Sequence, residues 1–157
     1  MAKSTSTTNT PKKSAKQIVI VASSFNELIT KSLLHGCQDE LTLAGILDVQ
    51  VIHVPGCFEI PVTCAKVAEL LKPDAIIAIG AVIRGETPHF DIVANESARG
   101  LMDVSLRFGV PVINTILTTD TVEQALNRSG LKHGNKGREG AHAALQMANT
   151  LSSIEHS

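Results

Sequence analysis

Four short apolar runs recur along the chain, at residues 18–22, 48–54, 74–82 and 110–117, each followed by a stretch with helical spacing. The first (IVIVA) and third (DAIIAIGAV) are almost unbroken. Such runs mark strands buried on both faces. Leu28, Ile29, Leu33 and Leu34 then recur at helical spacing to about residue 44. Ser24, three residues before Glu27, is a possible capping box for that helix. A second helix is predicted from Pro61 to Leu71, ahead of Pro73, and a third over 89–108 with Gly109 as its stop. Thr119 and Thr121 can cap a short helix ending at Gly130, and a Gly-rich loop leads to a last helix reaching about Leu151. Strands alternating with helices predict an α/β three-layer sandwich, a four-stranded parallel sheet with helices on both faces.

Residues 1–16 stand apart. They carry Lys3, Lys12, Lys13 and Lys16, few apolar side chains and no acid, and they read as a disordered polar tail. The domain is expected to run from 17 to 157. The net charge is −1, but without those four lysines ten basic side chains face 15 acidic ones. A mildly acidic body argues against a nucleic-acid surface. So does the aromatic content of four Phe, no Tyr and no Trp, too few for a stacking row. The core must be built from Ile, Val, Leu and Ala. No apolar run is long enough to span a membrane. Cys37, Cys57 and Cys64 form no CxxC pair, which points to a reducing compartment. The first 16 residues lack a signal-peptide apolar stretch and the Arg of a transit peptide. A cytoplasmic location is expected.

Ligands of parallel α/β sheets bind outside the carboxyl ends of the strands. That rule selects residues 23–26, 55–59, 84–89 and 114–120. Gly80 to Gly85 have Walker spacing, but Glu86 stands where the lysine belongs, and no GxGxxG is present. The six His are scattered, without metal-ligand spacing, so no metal site is expected. In Arg84-Gly85-Glu86-Thr87-Pro88-His89, Gly85 permits close backbone approach and the coming helix N-terminus can bind an anion. His89, with an ordinary pKa of about 6.5, suits proton transfer. The same residues equally describe a plain helix start, with Thr87 capping and His89 solvated. Phe58 and Glu59 can form an apolar wall beside a hydrogen-bond acceptor, or a hydrophobic staple with a dipole-matched acid. Cys57 has no neighbouring base and reads as a small loop residue. Phe25 can stack on a planar ligand or close the core rim. Arg128, Lys132, Lys136 and Arg138 read as a phosphate clamp or as a solvated loop.

Together these motifs resemble lumazine synthase, the family that makes 6,7-dimethyl-8-ribityllumazine in riboflavin biosynthesis. The likeness runs from about Ile18 to Leu151. It is carried by VPGCFEIP (54–61), GAVIRGETPHFD (80–91), TTDTVEQA (118–125) and GNKG (134–137), in that order. The resemblance implies a flavodoxin-like fold, a transferase and no metal or organic cofactor. Its substrates would be 5-amino-6-(D-ribitylamino)uracil and 3,4-dihydroxy-2-butanone 4-phosphate. It also implies roles. Phe25 would stack on the pyrimidine, and backbone near Val82 and Ile83 would bond the uracil edge. Glu59, with backbone at Phe58 and Ile60, would hold the ribityl chain. His89 would carry protons. Gly85, Glu86 and Thr87 would meet the phosphate, with Arg128 as counter-charge, and Lys136 would lie near the pyrimidine carbonyl. The site would be shared between subunits of a homopentamer, which some members build into a capsid-like shell. Phe25, Glu59 and His89 would come from one chain and Asn114, Arg128 and Lys136 from the next.

This sequence departs from the pattern in three places. Ser24 stands for the usual Arg. Asn114 stands where many members place a Phe over the heterocycle. Residues 1–16 do not read as the short strand with which many members begin. A non-catalytic flavin or lumazine carrier would need only the aromatic and hydrogen-bonding parts, so His89 together with Arg128 favours the enzyme. Another phosphosugar enzyme would not require Phe25, Phe58 and Glu59 together.

Overall fold

A computed structural model describes residues 15–132 and 134–157. Strand β1 (Ile18–Ser23) leads to helix α1 (Glu27–Leu43) and strand β2 (Gln50–Val54). A 3-10 turn (Cys57–Glu59) runs into α2 (Ile60–Leu71), followed by β3 (Ala75–Ile83) and α3 (His89–Phe108). Strand β4 (Val112–Thr119), the short α4 (Val122–Arg128) and α5 (Lys136–Glu155) complete the order. The strands are all parallel and lie in the order β2-β1-β3-β4. The first 14 residues of the proposed tail lie outside the described residues.

Period-two alternation on the central strands divides the core. Ile18 and Ile20 of β1 and Ile77 and Ile79 of β3 pack with Ile29, Leu33, Cys37 and Leu41 of α1 and Ala141, Ala144 and Ala148 of α5. The opposite residues, Val19, Val21, Ile76 and Ala78, pack with Ile60, Cys64 and Val67 of α2 and Leu101 and Val104 of α3. A sheet with helices on both faces leaves its central strands no wet side, and β1 is buried along its whole length. The layers are those the alternation predicts. Among the described residues, no helix is long and apolar enough to cross a membrane.

Several boundaries differ from the sequence expectation. The Ser24–Glu27 capping box does not form. The Ser24 N–H is taken by Val54 O at 2.8 Å, and α1 starts after Asn26, which adopts the left-handed conformation with φ 59°. Strand β2 starts two residues late because β1 offers it a first partner only at Val19, opposite Gln50. Strand β4 is displaced toward its carboxyl end. Its continuation is held at Thr119, whose carbonyl accepts from the Arg84 N–H at 2.9 Å. Helix α5 runs four residues past Leu151, to Glu155. Of the two threonines expected to cap α4, Thr121 does so, and with Gln124 as its reciprocal partner it makes a capping box.

The N-terminus of α5 is pinned by Asn135. Its Oδ1 accepts from the N–H groups of Gly137 and Arg138 at 2.8 and 3.2 Å, while its Nδ2 donates to Ser32 O and Ser129 O. One side chain thus caps α5 and ties it to α1 and α4. Farther along, Arg138 and His142 of α5 both reach Glu40 of α1 at 2.7 Å. This corrects the view of residues 128–138 as one basic cluster. Arg138 is occupied by Glu40, whereas Arg128 and Lys136 face a different cavity.

Candidate active site

The carboxyl ends of β1, β2 and β3 meet at one pole. Backbone bonds lace them together: Ser24 N to Val54 O, and Phe25 N to Pro55 O at 3.0 Å. Asn26 adds a third tie, its Nδ2 donating to Ala81 O at 3.0 Å. Asparagine tolerates the left-handed backbone this tie requires.

The lacing leaves a cavity of about 380 Å³ bordered by Phe25, Asn26, Gly56 to Glu59, Ala81 to Ile83, Gly85, Thr87, His89, Phe90 and Val93. Phe25 is 71% exposed and Phe58 55% exposed. Phe25 therefore does not close the core rim, and both rings present apolar area that the folded chain leaves uncovered. The floor is packed tightly. The Cys57 thiol donates toward Ser23 Oγ at 3.7 Å, and a Cβ at Gly80 would collide with that sulfur. Burial, above all, pushes the Cys57 thiol up from its ordinary range, which disfavours the nucleophilic thiolate.

His89 opens α3 and is exposed, its backbone N–H donating to Thr87 Oγ1 at 3.4 Å. The preceding Arg84 is firmly placed. Its Nε donates to Asp120 Oδ1 at 2.8 Å, and its guanidinium carbon stands 4.3 Å from the Phe90 ring centroid. The Asp120 hydrogen bond, above all, raises the Arg84 pKa beyond the usual arginine value.

A second cavity of about 380 Å³ lies along the outer edge of β4, bordered by residues 113–119 together with Arg128, Lys136, Glu139, Gly140 and Ala143. Asn114 Oδ1 accepts from the Ile116 N–H at 3.0 Å, folding that side chain onto its own strand edge. Lys136 pairs with Glu139 at 2.7 Å, and Arg128 Nη1 donates to Gln124 O at 3.4 Å. Beside them the Thr115 hydroxyl is buried with no hydrogen-bond partner among the described residues.

The candidate residues are thus distributed unevenly. Phe25, Phe58, Glu59, Val82, Ile83, Gly85, Thr87 and His89 border the first cavity. Asn114, Arg128 and Lys136 border the second. Ile60 and Glu86 border neither. The Ile60 side chain is fully buried in the core beneath the 3-10 turn, and Glu86 is an exposed loop residue. Asn26 and Phe90 fall within or beside the segments expected at the site but have no role predicted there, and Val93 is not among them. The available signals were an asparagine where the chain leaves a strand, and apolar residues one and four positions after His89. A larger groove of about 940 Å³ opens at the other pole, near Lys72 to Asp74 and Gly109 to Pro111. It lies by the amino ends of the strands, away from the end where parallel sheets bind ligands.

Residues 15–152 match the family described as 6,7-dimethyl-8-ribityllumazine synthase. The chain belongs to the 6,7-dimethyl-8-ribityllumazine synthase family. It is similar to the 6,7-dimethyl-8-ribityllumazine synthase of Desulfotalea psychrophila, 48% identical over 92% of this chain and 94% of that one. It is also similar to the synthase of the same name from Protochlamydia amoebophila, 54% identical over 85% of this chain and 79% of that one. The lumazine synthase match spans every strand and both cavities, so it covers the whole layered architecture described above.

Proposed function

We propose that this chain is a working lumazine synthase whose active site joins the first cavity of one subunit to the second cavity of its neighbour. The amine of 5-amino-6-(D-ribitylamino)uracil attacks the ketone of 3,4-dihydroxy-2-butanone 4-phosphate, and loss of water gives an imine. Phosphate is then eliminated. A second condensation, again losing water, closes the ring of 6,7-dimethyl-8-ribityllumazine. Phe25 and Phe58 flank the heterocycle and ribityl chain, and Glu59 accepts from the chain's hydroxyls. His89 moves protons during imine formation and phosphate loss. Gly85 and Thr87 meet the phosphate, Arg128 supplies counter-charge, and Lys136 faces the pyrimidine carbonyl. Positioning two reactants this way can replace a large entropic cost of encounter.

The observation that carries this reading is the division of the site. The aromatic and proton-carrying residues border one cavity, and the cationic residues border another on the β4 edge. Contact between such complementary surfaces is heterologous and closes into a ring when the rotation allows. A pentamer is the ring proposed here. The direct test mixes the purified protein with both substrates and follows product absorbance and phosphate release. Acceleration over the uncatalysed mixture is expected, and its absence removes the reading.

Subunit mixing tests the sharing of the site. His89→Ala and Arg128→Ala chains, each impaired alone, are co-assembled. Random rings pair an intact first cavity with an intact second cavity at about a quarter of their contacts, so about that share of wild-type activity returns. A mixture no more active than its components removes the shared site.

A further inference from the structure

Arg84 joins more of the molecule than a loop cation needs to. Besides Asp120 and Phe90 it approaches Asp91 of α3, with Nη1 3.6 Å from Oδ1. From Asp120 the path continues. The Asp120 N–H donates to Gln124 Oε1 at 2.8 Å, and the Gln124 carbonyl accepts from Arg128 Nη1 at 3.4 Å. A continuous series of contacts thus links the first turn of α3, which starts at His89, to the last turn of α4, which ends at Arg128.

We propose that Arg84 and Asp120 are positioning residues of the condensation, setting the His89 turn and the Arg128 helix relative to one another within each chain. This inference rests on the function proposed above. The pair is a poor candidate for a stability device. Its side chains are 46% and 65% exposed, and ion pairs that open to water contribute little. The strands there are already joined through Arg84 N and Thr119 O. What the pair adds is direction, because a planar guanidinium can hold a carboxylate and lie over a ring at once. In the shared site, His89 of one subunit and Arg128 of its neighbour handle the phosphate-bearing substrate, so by fixing both groups within each chain the pair aligns successive sites around the ring. The uracil-binding side is held separately, through the Asn26–Ala81 and Phe25–Pro55 bonds. The two substrates therefore respond differently to loss of the pair.

The test is steady-state kinetics of the full chain and of Arg84→Ala, Arg84→Lys, Asp120→Asn and the Arg84→Ala/Asp120→Asn double variant, varying each substrate in turn. Each of the Arg84→Ala and Asp120→Asn single changes is expected to lower kcat/KM for the butanone phosphate about tenfold, the scale of a sub-ångström misplacement. KM for the ribitylaminouracil stays within about twofold, because its contacts lie on other ties. The double variant is no worse than the poorer single one, as expected of residues acting as a unit. Arg84→Lys recovers part of the loss. Should Arg84→Ala fail to fold, Asp120→Asn, which keeps size and shape on an exposed loop, carries the test. Wild-type kinetics in Asp120→Asn overturn the inference. Equal losses for both substrates in step with a lowered Tm overturn it too, showing a merely structural pair. A wild-type protein that does not condense the substrates at all overturns the proposed function, and the inference with it.

Discussion

His89→Ala is expected to lower kcat by about a hundredfold or more, the range of a lost general acid–base group, with far smaller changes in substrate affinity. The side chain is exposed at the first position of α3, and its backbone N–H bond to Thr87 survives the change. The fold should therefore be untouched, and the variant should melt with the wild type. Single-turnover measurements separate the steps, because ligand binding relies on Phe25, Phe58 and Glu59 whereas imine formation and phosphate loss need a proton carrier. Product formation at the wild-type rate would falsify the assignment. A variant that binds poorly yet reacts normally once saturated would make His89 a binding residue instead.

Gly137→Ala is expected to cost the most stability of the glycine-to-alanine changes, about 3 kcal/mol, the upper range for overpacking. A Cβ there would fall on the Leu33 carbonyl oxygen of α1 and 2.6 Å from the Leu33 carbonyl carbon. Those are backbone atoms inside a helix, so no side chain can swing away. Helix α5 would have to lift from α1, opening the packing of the fully buried Leu33 and straining the Asn135 cap, which accepts from the N–H of Gly137 itself. For a domain of this size the loss corresponds to a fall in Tm of about 10 °C. Gly85→Ala is the comparison, since the space around Gly85 is open and its φ is not left-handed, and its Tm should stay near the wild-type value. Equal melting of the two variants would mean that α1 and α5 are not in close contact.

Alternating apolar runs and helical periods made the layers legible because burial on both faces leaves an unbroken apolar signature, as in IVIVA and DAIIAIGAV. Helix stops were legible where one residue imposes a conformation. Gly109 ends α3 at φ 64°, and Thr121 caps α4 with its own hydroxyl. The start of α1 was not, because Ser24 and Glu27 satisfy a local rule that a non-local bond to Val54 overrides. The candidate site was legible as a set of segments, since topology alone places strand ends together. Its division into one set with Phe25, Glu59 and His89 and another with Asn114, Arg128 and Lys136 came only with the family resemblance, because nothing in the order of the residues says that the second set borders the β4 edge while the first lines a separate cavity.

The sequence by itself determined the class of fold and the chemical kinds available: an aliphatic core, four Phe, a histidine at a helix start and glycine-rich turns. These follow from short-range physics, in which side-chain period and backbone preference act within a few residues. Only the tertiary structure decided which of those groups share a cavity. It buried Cys57 and Ile60, exposed Phe25 and Phe58, bound Arg138 to Glu40 and set Arg84 between Asp91 and Asp120. Those outcomes depend on contacts between residues as much as 98 positions apart, where the packing of whole layers chooses the partner.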